Sequence, residues 1–225
     1  MSATPTHHPS VQVLMIRELG VREYEPVWRR MQAFTEDRGR ETPDECWLVQ
    51  HPAVFTLGLN GKAEHLLDPH EIPVIAVDRG GQVTYHGPGQ LVMYLLLDLN
   101  RLGIGVRELV RKIEAAIIDL LASHGVPAQG REDAPGVYVE DRKIAALGLR
   151  IKRGRSYHGL SLNVDMDLEP FQYINPCGYP GMAVTQLKDL GIDVDMTLLQ
   201  QQLVQHLRRH LGYTKAIDIN EPIPA

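Results

Sequence analysis

Apolar residues recur at helical spacing in three segments of the chain. Tyr24, Val27, Trp28, Met31 and Phe34 share one helix face, with Gly39 just beyond. Val106, Leu109, Val110, Ile113, Ile117, Leu120 and Leu121 form a longer stripe, closed by Gly125 and Pro127. A third helix is predicted over 196–211, opened by Asp195 and ended by Gly212. Between these lie runs of strand character: VQVLMI, CWLVQ, PVIAVD, QLVMYLLLDL, GVYVE, KIAALGLRIK and HGLSLNV. Strands outnumber helices and cluster instead of alternating with them. The pattern predicts an α+β fold, a mixed β-sheet flanked by helices, and not a doubly wound sheet.

GVYVEDRKIAALG predicts a hairpin that turns at Glu140, Asp141 and Arg142. Lys143 then opens the second strand, on one face with Ala145 and Leu147. A lysine in such a place ordinarily points to water.

The chain has 225 residues and shows no internal boundary. One domain is expected over 13–215, with tails at 1–12 and 216–225. The hydrophobic fraction of 44% suffices for a large core. With 23 basic and 28 acidic residues the formal charge is −5, which argues against nucleic acid as a partner. MSATPTHHPS has neither the apolar core nor the basic cluster of a signal peptide. LVMYLLL, the longest apolar run, is too short to span a bilayer. A cytoplasmic location without a membrane partner is the expectation. The two cysteines make no disulfide framework. His206 and His210 stand four apart on the third helix, but Arg208 and Arg209 lie between them and no glutamate completes a zinc motif. No metal is expected.

Cys46 lies in an apolar run, whereas Cys177 lies in INPCGYPGM, a stretch whose prolines and glycines fix a tight loop. Such a loop can hold a thiol in a cleft, an arrangement that suits a nucleophile. DRGGQVTYHGPGQ sets Arg79, Tyr85 and His86 among glycines that let backbone approach a ligand closely. It reads equally as a pair of β-turns, and it is not a phosphate loop, because no G-x-x-x-x-G-K-[ST] is present. RKIAALGLRIKRGR, residues 142–155, holds six basic residues and no acidic one. Two readings stand: a strand edge kept soluble by charge, or a dock for an acidic partner.

RGGQVTYHGPGQLVMYLLLDL, RKIAALGLRIKRG, YHGLSLNV and NPCGYPGM follow one another in that order. Together they resemble the lipoyl(octanoyl) transferases, or octanoyl-[acyl-carrier-protein]:protein N-octanoyltransferases, from roughly residue 14 to 211. The resemblance implies the catalytic-domain fold of the biotin and lipoate protein ligases, a monomer, and no cofactor. It implies Cys177 as the nucleophile and Lys143 as the lysine that promotes its thiolate. The acyl-binding segments it implies are Arg79, Gly80, Gly81, Gln82, Val83, Thr84, Tyr85 and His86, then Ala146, Leu147 and Gly148, then Gly159, Leu160 and Ser161. An octanoyl group would arrive as a thioester on acyl carrier protein. It would leave as an amide on a lysine of lipoyl domains, in 2-oxo acid dehydrogenase complexes and in the glycine cleavage H protein.

Ala145 and Ala146 offer no hydroxyl, so if relatives hold the acyl carbonyl with a side-chain donor there, backbone N–H groups must do it here; those beside Gly178 and Gly148 are candidates for the tetrahedral oxyanion. Burying the acyl chain gains about 0.8 kcal/mol per methylene, which favours longer chains without limit. Rejecting them requires a closed pocket end. Two other readings are an ATP-dependent lipoate–protein ligase, which needs no cysteine, and a thiol sensor or carrier-binding module. The second leaves RGGQVTYHGPGQ unexplained.

Overall fold

A computed structural model describes residues 12–219. The tails expected at 1–12 and 216–225 lie outside the described residues, apart from Gln12 and 216–219. In chain order the elements are β1 (Val13–Val21), α1 (Tyr24–Asp37), β2 (Asp44–Gln50), β3 (Val54–Leu57), β4 (Val74–Ala76), β5 (Val83–His86) and β6 (Gln90–Leu96). Then come α2 (Leu99–Leu102), α3 (Val106–Ser123), β7 (Gln129–Gly130), β8 (Gly136–Val139), β9 (Arg142–Lys152), β10 (Arg155–Asn163), α4 (Met196–Leu211) and β11 (Lys215–Asp218).

Eight strands form one sheet in the order β11-β1-β2-β6-β10-β9-β8-β7, and β4-β3-β5 form a second. β1 runs parallel to β2 and β11, while the other neighbours in the large sheet are antiparallel, so the sheet is mixed. β6 explains the apolar run at its centre. Leu91, Met93 and Leu95 face α3 and α4, while Val92, Tyr94 and Leu96 face α1. A strand covered on both faces needs no polar alternation. The three predicted helices occur where their stripes and caps put them. Asp195 caps α4 by accepting from the N–H groups of Thr197 and Leu198, and Gly212 ends it in the left-handed conformation.

Some expectations shift. DRGGQVTYHGPGQ is more than turns, because β5 lies inside it and pairs with β3. The β8–β9 turn is tighter than expected: Glu140 and Asp141 alone make it, both at positive φ, and Arg142 already pairs with Val139. Ordered chain continues past 215, where β11 pairs with β1.

Candidate active site

The loop carrying Cys177 turns sharply at Pro176–Gly178, with Cys177 itself at φ +56°. Gly178 N–H donates to Asn175 O at 2.9 Å, and Tyr179 N–H donates to Pro176 O at 3.1 Å. Of the candidate oxyanion donors beside Gly178, the Gly178 and Tyr179 N–H groups are therefore taken up by the turn itself. The loop is fastened at both ends. Asn175 N–H donates to His65 O, and beyond the loop Lys143 N–H donates to Ala183 O and Thr185 N–H to Lys143 O. Lys143 thus pairs by its backbone with the segment that leaves the cysteine loop.

Its side chain meets the same loop. Lys143 Nζ donates to Cys177 Sγ at 2.8 Å and to Pro135 O at 3.1 Å, and it stands 5.3 Å from the Tyr138 ring centroid. The two residues are 34 apart in sequence. Lys143 is only 4% exposed, so the expectation that this lysine points to water is overturned. The β8–β9 register shifts between Val137 and Tyr138, beside Lys143, and Gly136 leaves the space: a Cβ there would stand 2.5 Å from Lys143 Cε. Glu114 of α3 accepts the Gly136 N–H at 2.9 Å. Burial raises its carboxyl above the ordinary value, against the Gly136 bond and the Lys143 charge.

Beside Cys177 opens a narrow cleft, part of it open to solvent. One wall is Arg79, Gly81, Gln82, Val83, Thr84 and His86; the floor is Ala146, Leu147 and Gly148 of β9 with Gly159, Leu160 and Ser161 of β10. Lys143 lies in a smaller cavity that adjoins the cleft and shares Thr84, Ala146, Ser161 and Cys177 with it. Two of the expected residues are elsewhere. Gly80 is tied to the rim by its N–H to Leu149 O at 2.9 Å, and Tyr85 points away into an apolar cluster with Phe55 and Phe171. Cys46 is fully buried in the core beneath the opposite face, where burial raises its thiol well above the ordinary range.

Arg79 is buried and, among the described residues, pairs with no carboxylate: it donates to Thr56 Oγ1, Thr56 O and Gly80 O. Burial lowers its pKa. Its guanidinium lines the cleft that Cys177 also lines, so the sulfur has Arg79 and Lys143 as neighbouring cations.

Three cleft residues were not anticipated from sequence: Val92, Tyr94 and His158. Behind His158 stands Asp78, whose carboxylate accepts from Trp28 Nε1 at 2.7 Å, Gln32 Nε2 at 3.1 Å and the Tyr157 hydroxyl, and faces His158 Nε2 at 2.9 Å. Burial alone would raise this carboxyl, but these hydrogen bonds together hold it far below the ordinary value. His86 Nδ1 meets Gln90 Oε1 at 2.7 Å, and His51 Nε2 meets the Tyr94 hydroxyl at 2.7 Å. Burial lowers His51 to about 4 and His86 to about 3, so both rings are neutral near pH 7.

Residues 23–208 match the lipoyl protein ligase A/B catalytic-domain family. The chain is 61% identical over 201 residues to an octanoyltransferase of Chromobacterium violaceum, covering 89% of this chain and 97% of that one. It is 64% identical over 203 residues to an octanoyltransferase of Pseudomonas entomophila, covering 90% and 94%. The chain belongs to the octanoyltransferases of the lipoyl protein ligase A/B family. It is a transferase of the octanoyl group in protein lipoylation. The fold is also that of lipoate–protein ligase A bound with ATP, at a TM-score of 0.71 and 16% identity, covering 92% of this chain and 89% of that one. A bipartite lipoate–protein ligase from Thermoplasma acidophilum, described with its E2 lipoyl domain, superposes at 0.70 with 17% identity, covering 95% and 89%. At such identities the likeness speaks for the fold of the octanoyltransferase alone.

Proposed function

We propose that the enzyme carries the octanoyl group on Cys177, with Lys143 moving the protons. The observation behind this reading is the 2.8 Å contact between Lys143 Nζ and Cys177 Sγ at the mouth of an apolar-floored cleft. Only a thiolate is a good sulfur nucleophile, and an adjacent ammonium favours it. Lys143 takes the thiol proton, and Cys177 Sγ attacks the thioester carbonyl of octanoyl-acyl carrier protein. The bond to the pantetheine sulfur breaks, and Lys143 returns the proton to that sulfur. In the second half Lys143 accepts a proton from the lysine amine of a lipoyl domain. A free lysine amine has a pKa of about 10.4, so a base is required. The amine attacks the acyl-Cys177 thioester, the amide forms as the bond to the Cys177 sulfur breaks, one proton goes to that sulfur, and the other passes through Lys143 to solvent. Thioester exchange is nearly isoenergetic and amide formation drives the second half, so ATP has no part. Thr84 and Ser161 are the hydroxyl side chains of the wall that Cys177 shares, and they are available to the oxyanion.

The acceptors in this reading are lipoyl domains of 2-oxo acid dehydrogenase complexes and the glycine cleavage H protein, met by a monomer in the cytoplasm. Among the described residues no helix is long and apolar enough to cross a membrane. Acyl carrier protein, an acidic partner by the family resemblance, would dock on the basic stripe. Arg150, Lys152 and Arg153 are exposed there, although Lys152 is already ion-paired with Glu36.

The test is acyl transfer from octanoyl-carrier protein to a lipoyl domain without ATP. The wild type should transfer, and Lys143→Arg should lose most of the rate, because arginine keeps its proton near neutral pH. The carrier-protein rate should fall steeply with salt, since exposed charges are screened beyond roughly 8 Å at physiological ionic strength. A small octanoyl thioester should be little affected. Wild-type transfer by Lys143→Arg would contradict the shuttle, and a requirement for ATP would favour the ligase reading.

A further inference from the structure

Glu114 of α3 lines neither the cleft nor the adjoining cavity that holds Lys143. One peptide group nevertheless joins it to Lys143. Glu114 Oε1 accepts the Gly136 N–H at 2.9 Å, and the carbonyl of that same peptide, Pro135 O, accepts from Lys143 Nζ at 3.1 Å. The N–H and C=O of a trans peptide point in opposite directions. Carboxylate and ammonium therefore stand at opposite ends of one amide, each facing the end of opposite partial charge. The chain continues to the nucleophile, because Lys143 Nζ also donates to Cys177 Sγ at 2.8 Å.

Anchoring the start of β8 would not by itself call for a charge. A glutamine of the same length could accept the Gly136 N–H, and a half-buried carboxylate is costlier than a carboxamide. Burial raises the Glu114 carboxyl, while the Gly136 bond and the Lys143 charge oppose that rise. The place is also tight: a Cβ on Gly130 of β7 would stand 3.1 Å from Glu114 Oε2. What the charge adds is polarisation. Hydrogen bonds in a chain strengthen one another, so a carboxylate on the N–H makes Pro135 O a better acceptor for the lysine. Lys143 also faces Cys177 and Tyr138, whose hydroxyl donates to Ala134 O. Once Cys177 is acylated, its sulfur no longer carries a charge to hold the lysine. Pro135 O then remains as the acceptor that orients the amine, whose lone pair must take the next proton.

We propose that Glu114 is a positioning residue for the transfer reaction, acting on Lys143 through the Pro135–Gly136 peptide. It touches neither substrate nor sulfur. Its carboxylate polarises the amide that holds the lysine in line with Cys177, and does so through both halves of the reaction. The inference rests on the reading of Lys143 as the residue that moves the protons.

The test is a double-mutant cycle on Glu114 and Lys143, read as kcat and KM for transfer from octanoyl-pantetheine to a lipoyl domain. Glu114→Gln keeps an acceptor for the Gly136 N–H and removes only the charge. It should lower kcat about tenfold, the scale of one charge-assisted hydrogen bond weakened to a neutral one, and leave KM within about twofold. In a Lys143→Ala background the same substitution should change the residual kcat less than about twofold, because the residue it acts through is gone. Should Glu114→Gln fail to fold, Glu114→Asp, which withdraws the carboxylate by one methylene, runs the same cycle with the same expectation. A tenfold loss that persists in the Lys143→Ala background would overturn the inference and make Glu114 a support of the fold alone. Wild-type kcat in Glu114→Gln would overturn it too, while leaving Lys143 in its role. Wild-type kcat in Lys143→Ala would overturn the proton-moving reading and this inference together.

Discussion

Lys143 reaches Cys177 because position 136 carries no side chain. At φ +150° an added Cβ would lie 2.5 Å from Lys143 Cε and 2.6 Å from Ala145 O. The second contact is backbone and cannot step aside. Gly136→Ala should therefore push the ammonium off the sulfur. A displacement near 1 Å in a reacting group can cost about a hundredfold in rate. The expected result is a large fall in kcat for a small octanoyl thioester, with a smaller change in KM. Wild-type kcat in a folded Gly136→Ala protein would mean the lysine tolerates a looser approach. Cys177 itself was legible, since proline and glycine on either side of a thiol mark a built loop. Lys143 was not legible from its neighbours. Its strand position reads as solvent-facing, and only the four-motif resemblance pointed to it.

At the scale of elements, local signals served where the partner of a segment is simply the core. α1, α3 and α4 carry one apolar stripe each; Asp195 and Gly212 cap α4, and Gly125 follows the end of α3 at positive φ. The hairpin of β8 and β9 was legible too, although both residues of its turn adopt positive φ without being glycine. What escaped are the pairings that join distant segments. The bridge between Lys143 and Val184 links residues 41 apart, with two backbone hydrogen bonds and no local pattern to announce it. β5 escaped because all four of its residues are wholly or partly buried, so VTYH gives no alternation. His158 and Asp78 escaped for another reason. Asp78 lies just past β4 and His158 within β10, and their meeting depends on the positive φ of His158, which nothing in YHGLSLNV signals.

Across the whole molecule, folding buries a group of histidines in and behind the cleft. The ring centroids of His51 and His86 lie 6.1 Å apart, and burial lowers the two to about 4 and about 3, with His158 lowered as well. In the unfolded chain each titrates near the ordinary value of about 6.5. Below that pH the unfolded state binds protons that the native state refuses. Their contribution is thus fully present above pH 6.5 and is lost as pH falls toward 4. Each such group changes stability by about 1.4 kcal/mol per pH unit in this window. Urea midpoints should drop steeply between pH 6.5 and 5, and a flat profile would contradict neutral burial of these rings. The central claim, however, is a covalent one, and intact mass spectrometry tests it most directly. After incubation with octanoyl-acyl carrier protein and no ATP, the wild-type protein should gain the mass of one octanoyl group. Peptide mapping should place it on Cys177, and addition of a lipoyl domain should discharge it onto that domain's lysine. Cys177→Ser should gain nothing stable, while Cys46→Ser should load as the wild type does. An adduct on Cys46, or undiminished transfer by Cys177→Ser, would contradict the account.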